Sequence, residues 1–446
     1  MAASAATGTD GLVALPEEIL FEVFRRVGSV KGLFMFAVTS RRWLHRFTDP
    51  AFLRRLCSSH GQGHRARLLG FFFRPTRFVR CERMMKLRMA EHASVSAPTF
   101  RPMPGSPLGS TDRALTSFVD DDEGAFNYAE PFAARRGFVL MQLVPRTFDL
   151  ERMTSTDPIL LGLCNPITGE GHVLPSPCFG RHRNLYGYVI ITAADEINEE
   201  RRQPPPPFGR LAFSQLLLIT QPDVSNERRL LHSYTAAARS WSTPTTAFND
   251  SSRFHIVGEF SAAVHRNAAH WLCLDTKARR SAPGDDYNLY KLSAELDTAR
   301  VSLTKIPIRA GGKPHLCVGG DGKLSVACVY LFHVTVWTQQ DTDDGGDNDD
   351  APWPWLHTQV IKIPIVEQDP YEAWRDFNRG SMLVMYRAGG VFVLDLEKGV
   401  MEKVMDCFPS LFTDKQRLYF VPYEMDIVEF FESCLSRWSN VEGYKG

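Results

Sequence analysis

Residues 164–170, CNPITGE, read as a strand that ends in a turn, and residues 393–399, VLDLEKG, repeat the logic with a strand, an acidic turn and a glycine. Short runs of the same kind lie around both. Residues 68–73, 138–144, 188–192, 216–220, 325–337, 382–386 and 391–396 are rich in Val, Ile, Phe, Tyr or Thr and are bounded by Gly, Pro, Asn or Asp. Turn signals at Asn165-Pro166, Thr168-Gly169, Gly319-Gly320-Asp321-Gly322 and Gly389-Gly390 separate them. Many short strands with few helical stretches predict an all-β architecture from about residue 66 onward: a propeller, a sandwich or a barrel. The length favours the propeller, because a single sandwich seldom needs so many residues. With about fifty residues per blade, six to eight blades fill the span. Kelch-type Gly-Gly with Tyr and Trp, and the Gly-His and Trp-Asp pairs of WD repeats, do not recur, so any repeat is degenerate.

The whole chain has 446 residues, 44% of them hydrophobic and 23% charged, with 51 basic and 51 acidic side chains. These are the proportions of an ordinary soluble globular protein, long enough for a small module plus one large domain or two ordinary ones. The zero net charge hides an asymmetry. Arginines crowd the first ninety or so residues, whereas acid gathers at Asp120-Asp121-Asp122-Glu123 and along 341–350. Nine scattered cysteines without a Cys-x-x-Cys pair read as reduced core thiols, and neither a disulfide framework nor a zinc site is expected. The start has no basic region before its brief apolar stretch, and no window approaches a membrane helix in length, so a cytoplasmic or nuclear location is expected. Three stretches read as surface loops: 96–107, 199–208 with its run of four prolines, and the acidic 341–354.

The N-terminal part has helical periodicity instead. Residues 15–56, LPEEILFEVFRRVGSVKGLFMFAVTSRRWLHRFTDPAFLRRL, hold more large apolar side chains than a helical bundle of that size can bury alone. Contiguous apolar surface on a soluble protein marks an association site. Pro16 sits at the first position of a helix. Leu15, Ile19, Val23 and Val27 then recur four apart along one row. Gly28 closes that helix. In a second helix Val30, Leu33, Phe34 and Ala37 form a stripe, and Met35 and Phe36 add bulk off it. Ser40 caps a third, with Trp43, Leu44 and Phe47 on one side and Arg41, Arg42, His45 and Arg46 on the other. Asp49-Pro50 starts a short fourth helix carrying Phe52, Leu53 and Leu56.

This segment resembles an F-box. The matching pattern is Leu15-Pro16, Glu18-Ile19-Leu20, Val27, Leu33, Val38, Ser40-Arg41-Arg42-Trp43 and Asp49-Pro50-Ala51-Phe52, in order and without insertions, although Gly28-Ser29 stands where many members have Leu-Pro. Downstream, Tyr234 followed by Trp241, and His270-Trp271-Leu272-Cys273-Leu274-Asp275, resemble plant F-box-associated β-propeller regions, whose aromatic residues fill gaps between blades. The resemblance implies an α+β multidomain chain: a disordered start (1–11), an F-box (12–58), a linker (59–65), a β-propeller-like substrate-recognition domain (66–440) and a short tail (441–446). It further implies the substrate receptor of an SCF-type ubiquitin ligase. Leu15, Pro16, Ile19, Leu20, Val27, Leu33, Phe36, Val38, Trp43 and Phe52 would bind a Skp-family adaptor and, through it, a cullin-RING ligase, while the β domain holds a protein target.

Other readings draw on fewer features. A nucleic-acid-binding regulator would use Arg41, Arg42 and Arg46, but aromatic residues interrupt that basic side where short polar ones would reach bases. A propeller enzyme would need a carboxylate pair such as Asp275 with Asp285 or Asp286 about 5 to 10 Å apart around a sugar. His232, His255, His265 and His270 fall in one region, but none forms a helical i, i+4 pair flanking a glutamate. No Gly-x-Ser-x-Gly elbow, phosphate loop or dinucleotide fingerprint is present. No catalytic residue, cofactor, metal or membrane contact is expected.

Overall fold

The computed structural model describes residues 16–26, 30–39, 41–49, 51–53, 68–74, 99–103, 106, 113–114, 126, 129–143, 160–167, 169, 171–175, 184–192, 195, 213–221, 228–249, 253–258, 261–276, 287–340, 355–363, 373–377, 380–386, 390–406, 419–426, 430–431 and 435. The expected disordered start, linker and tail lie outside them, as do Leu15, Val27 and Ser40.

Three helices come first: α1 (Glu17–Arg26), α2 (Val30–Ala37) and α3 (Arg41–Phe47). Pro16 stands just before α1, its carbonyl accepting the Leu20 amide at 3.1 Å, so it flanks the helix and does not open it. Asp49 caps the short turn at 51–53, its carboxylate accepting the Ala51 amide at 2.9 Å.

Six antiparallel sheets follow, each a blade. The first contains β1 (Leu68–Arg74), β2 (Thr99–Pro102) and β3 (Arg113–Ala114). The second is β4 (Glu130–Arg135), β5 (Phe138–Leu143), β6 (Leu160–Cys164) and β7 (Gly171–Val173). The third is β8 (Asn184–Thr192), β9 (Phe213–Gln221), β10 (Arg229–Thr235) and an outer strand split into β11 (Ser240–Trp241) and β12 (Thr245–Phe248). In the fourth the inner strand is split, into β13 (Phe254–Val257) and β14 (Ala263–His265), ahead of β15 (Ala268–Asp275), β16 (Tyr287–Glu295) and β17 (Val301–Ala310). The fifth is β18 (Lys313–Val318), β19 (Leu324–Val329), β20 (His333–Gln339) and β21 (Trp355–Lys362). The sixth is β22 (Ala373–Asp376), β23 (Ser381–Tyr386), β24 (Gly390–Asp395) and β25 (Val400–Met405).

The ring closes through β26 (Tyr419–Glu424), which pairs antiparallel with β1 and so supplies the inner strand of the first blade from the far end of the chain. The architecture is therefore mostly β, a six-bladed propeller. Six blades occupy a length that also fits seven or eight of fifty residues, because the β1–β2, β8–β9 and β20–β21 connections carry long insertions. The run at 325–337 is two strands, not one. It folds back at Tyr330, whose amide donates to the His333 carbonyl at 2.8 Å.

Each blade is covered on both faces by its neighbours, which explains apolar runs without polar alternation. In β9, Leu216 and Leu218 face the second blade, packing with Leu140, Leu161 and Leu163. Leu217 and Ile219 face the fourth, packing with Trp271 and Cys273. Strand periodicity of two sends successive side chains to opposite gaps. The same turn joins the third and fourth strands of four blades. Gly169, Arg239, Ala299 and Gly399 each take a positive φ there, and the amides of Gly169, Ala299 and Gly399 bond back to the carbonyls of Asn165, Glu295 and Asp395. The carboxamide of Asn165 and the carboxylate of Asp395 also accept amides two residues on, from Ile167 and Glu397, both at 3.0 Å. CNPITGE and VLDLEKG thus occupy the same place in the second and sixth blades.

Candidate functional site

Phe24 is the hub of the helical module. The rings of Phe47, Phe36, Trp43 and Phe52 surround it at centroid distances of 5.1, 5.2, 5.3 and 6.2 Å, the Phe36 contact at 65° and the others close to edge-on. Beyond this hub the module leans on residues from the other end of the chain. Phe34 lies 6.0 Å from Phe430, and Phe47 lies 5.5 Å from Phe431. Phe430, Phe431 and Leu435 belong to one continuous core with the helices and the first two blades. Part of the apolar excess of residues 15–56 is thus covered from within the chain.

Among the described residues of the module, the large apolar side chains that stay uncovered lie on α1 and α2. Ile19 is 47% exposed, Val23 40% and Met35 55%, and Pro16 is exposed beside them. Among the residues expected to meet an adaptor, Leu20, Leu33, Trp43 and Phe52 are buried inside the module, while Phe36 and Val38 are half-buried. Val23 and Met35 were signalled by the four-residue row and by bulk off the stripe. Arg46 sits over the ring of Phe52 at 5.9 Å, and the side chains of Arg41 and Arg42 lie outside the description.

A second site lies on the propeller axis. Residues of β4, β8, β13, β18, β22 and β26 line a cavity of about 110 Å³. Arg135, Asp376 and Glu424 reach it from the last positions of β4, β22 and β26, and Tyr188, His315 and Arg375 from further along their strands. Arg135 grips Asp195 with two hydrogen bonds of 2.5 and 2.8 Å and donates to the Ile190 carbonyl at 2.9 Å, joining the second blade to the third. Burial alone would raise the Asp195 carboxyl, but Arg135 holds it well below the usual range, helped by Arg136 and the Thr192 amide. Asp376 behaves oppositely. Its side chain opens onto the cavity, yet protein crowds around it, and desolvation together with the charge of Glu424 pushes its carboxyl well above the ordinary range. Burial lowers His315 to about 4, and its Nε2 has no hydrogen-bond partner among the described residues. The Arg375 guanidinium stacks over Phe420 at 4.8 Å.

Two of the clustered histidines, His232 and His270, are held inside the blades. His232 bonds Thr220 at 2.9 Å, and His270 bonds Ser293 at 2.8 Å and the His265 carbonyl at 3.3 Å. Burial keeps both neutral, near 4 and 3 respectively. Asp275 is held by Arg253 at 2.9 Å, and Asp285 and Asp286 fall outside the described residues. Cys164, Cys273, Cys317 and Cys328 are free and buried, with burial raising every thiol, Cys273 to about 12. Among the described residues no three His, Cys, Asp or Glu side chains gather to hold a metal, and no helix is long and apolar enough to cross a membrane. The aromatic residues expected between blades are there. Tyr234 and Trp241 face each other at 5.3 Å in the gap toward the second blade, where Trp241 donates to the Pro175 carbonyl at 2.8 Å, and Trp271 is fully buried between the third and fourth.

Residues 108–402 match a family described as a domain of unknown function, DUF7595. The match covers most of the propeller and leaves out the helices, β1, β2 and β26. No F-box family matches the chain, and no curated protein matches it. Among solved structures, a chain of the nidogen/laminin complex is 10% identical, with 79% of this chain and 97% of that one covered and a TM-score of 0.38. A quinonprotein alcohol dehydrogenase-like protein from Bacteroides thetaiotaomicron is 11% identical, with 76% and 64% covered and a TM-score of 0.36. The α-L-arabinanase of Penicillium chrysogenum complexed with arabinobiose is 9% identical, with 59% and 76% covered and a TM-score of 0.33.

Proposed function

The chain belongs to the DUF7595 family, and we propose that this member is the substrate-recognition subunit of an SCF-type ubiquitin ligase in the cytoplasm or nucleus. The observation that carries the reading is the exposure of Ile19 and Val23, one row of α1, and of Met35 on α2. These side chains remain exposed after the module has packed both on itself and on Phe430 and Phe431. Large apolar side chains left outside a finished core are what an obligate partner covers. The F-box resemblance of residues 12–58 says which partner, a Skp-family adaptor that leads to a cullin-RING ligase.

The propeller's part in this proposal is to hold a target protein near a ubiquitin-charged enzyme, raising local concentration without making or breaking a bond itself. Burial of Ile19 and Val23 against the adaptor is worth roughly 1.5 to 3 kcal/mol each before association costs. Replacing both by aspartate in the full chain should therefore weaken adaptor capture by about a hundredfold or more. Leu331→Asp, a change at an exposed apolar residue on the fifth blade, is the control and should leave capture unchanged. Equal adaptor affinity for the double variant and the native chain would remove the proposal.

A further inference from the structure

Among the described residues of the propeller, the exposed large apolar side chains are Val173, Leu331, Phe332, Leu356, Val360 and Val400, and four of these six lie on the fifth blade. Leu331 and Phe332, 59% and 52% exposed, form the tip of the hairpin that joins β19 to β20. That hairpin is firmly built. The Tyr330 amide donates to the His333 carbonyl at 2.8 Å, the rings of Tyr330 and His333 stack at 4.6 Å, and the Phe332 carbonyl accepts the Ile363 amide at 2.9 Å. Two apolar side chains thus stand in solvent on a fixed backbone, so little ordering opposes a contact there.

Strand direction places the tip relative to the helices. The inner strands β4, β22 and β26 end at Arg135, Asp376 and Glu424, and the Gly137 amide of the β4–β5 turn donates to the Glu424 carbonyl at that end of the ring. The chain enters β1 there after the helices and leaves β26 there toward Phe430 and Phe431. Ile167, in the turn between the third and fourth strands of its blade, shares a core with both phenylalanines and belongs to the same end. The β19–β20 hairpin joins a second strand to a third and therefore lies at the opposite end. The helical module and the hairpin tip are separated by the full thickness of the propeller.

We infer that this tip is where the propeller grips its target, and that it takes a short protein segment carrying large apolar side chains next to acidic ones. Leu331, Phe332 and Val360, each about half exposed, offer far less than the roughly 800 Å² per partner that a stable protein interface buries, so a second copy of the chain has too little to hold here. A short segment needs only an anchor and a matching charge. The charge comes from Lys362, which is exposed, in register with His333 at the foot of the hairpin, and two residues beyond Val360. A carboxylate beside the segment's apolar side chains meets that ammonium and fixes the direction of docking. That the segment belongs to a protein marked for ubiquitination rests on the adaptor reading, whereas its binding to the tip does not.

Fluorescence anisotropy of the full chain with three labelled peptides tests it: Glu-Glu-Phe-Leu-Glu-Glu, the same acidic frame with Ser-Gly in place of Phe-Leu, and Lys-Lys-Phe-Leu-Lys-Lys. The first should bind at least tenfold more tightly than either of the others. Leu331→Ser together with Phe332→Ser should weaken it at least tenfold, and Lys362→Glu at least threefold, with adaptor capture unchanged in both variants. The chain carrying Ile19→Asp and Val23→Asp should bind the first peptide as the native chain does, so failure of the adaptor reading and failure of this one are told apart. Should the Leu331 and Phe332 variant not fold, the first peptide with photoreactive benzoylphenylalanine in place of its Phe should label residues 330–333 of the native chain. Equal binding of the three peptides, no binding at millimolar concentration, full affinity in the double serine variant, or labelling only elsewhere would each overturn the inference. So would co-sedimentation with phosphatidylcholine and phosphatidylserine vesicles that depends on Leu331 and Phe332 while no peptide binds, which would give the tip to a lipid surface.

Discussion

The hydroxyl of Tyr423 donates to the carbonyl of Gly137 at 3.0 Å, tying the closing strand β26 to the first turn of the second blade across 286 positions of sequence. The same turn returns the contact, its Gly137 amide donating to the Glu424 carbonyl at 3.1 Å. Tyr423 is fully buried, so removing its hydroxyl leaves the Gly137 carbonyl short of a partner that water cannot easily replace. Tyr423→Phe should cost about 1 to 2 kcal/mol in chemical denaturation. An unchanged midpoint would mean that backbone pairing alone closes the ring.

Gly187 faces Trp271 at a distance that admits no side chain. A Cβ on Gly187 would stand 2.9 Å from the indole Nε1 and 3.2 Å from Ile219. Neither neighbour can retreat easily, since both are buried between the third and fourth blades. Gly187→Ala should destabilise by about 1 to 3 kcal/mol through overpacking. Trp271→Phe in the same chain should recover part of that loss, and a double-mutant cycle with no coupling would refute the steric account.

One substitution should stabilise. Ala299 holds a φ of 53° in the turn where the second and sixth blades use glycine. A left-handed alanine costs roughly 1 to 2 kcal/mol, against a smaller entropic penalty for glycine. Ala299→Gly should therefore raise stability by about 0.5 to 1 kcal/mol, read from the same denaturation curves. A drop would show that the turn holds alanine for a packing reason.

The recurring turn was legible because its chemistry is local: Asn165 and Asp395 bond their own following amides, and a glycine closes each loop. The apolar runs told strand from helix but not where 325–337 turns back, since Tyr330, Leu331 and Phe332 are not turn-forming residues. Trp241 and Trp271 could be placed between blades by resemblance, whereas the glycine that makes room for Trp271 could not, because the contact joins different blades. The helical module was readable in its periodicity, and its surplus of apolar side chains was real. That Phe430 and Phe431 cover part of the surplus depends on a contact between the two ends of the chain. The axial cavity was invisible for a related reason. Arg135, His315, Asp376 and Glu424 come from four different blades, with no motif to gather them.

Three buried histidines should make stability fall on mild acidification. Burial lowers His232 and His315 to about 4 and His270 to about 3, with Lys291 adding to the effect at His270 and Lys313 at His315. Above pH 6.5 each is neutral in both the folded and the unfolded chain. Between pH 6.5 and the folded values only the unfolded chain takes up protons, so stability drops as pH falls through that window. At pH 5 the cost is on the order of 2 kcal/mol per histidine. Asp195, held low, adds its own loss only below the ordinary carboxylate range, and Asp376, held high, works in the opposite sense. Denaturation at pH 7.5 and pH 5 should show the drop, and His232→Gln should reduce it. Equal pH dependence in that variant would exclude His232 from the effect.

Phe430 and Phe431 should act as the fastening between the helical module and the propeller. Phe34 and Phe47 meet them ring to ring, while β26, which closes the propeller, ends before them at Glu424. Truncating both to alanine removes two fully buried rings, and each such change in a core costs about 3 to 5 kcal/mol. Because Phe34 of α2 and Phe47 of α3 meet these rings directly, the cost should fall on the helices before the distant fourth blade. Hydrogen exchange should show protection in α1 to α3 collapsing while β15 and β16 of the fourth blade keep theirs. Adaptor capture should weaken along with helix protection, since the row of Ile19 and Val23 exists only on a folded α1. Uniform loss of protection across helices and blades would mean that the two ends of the chain fold as a single unit and that these phenylalanines belong to one indivisible core.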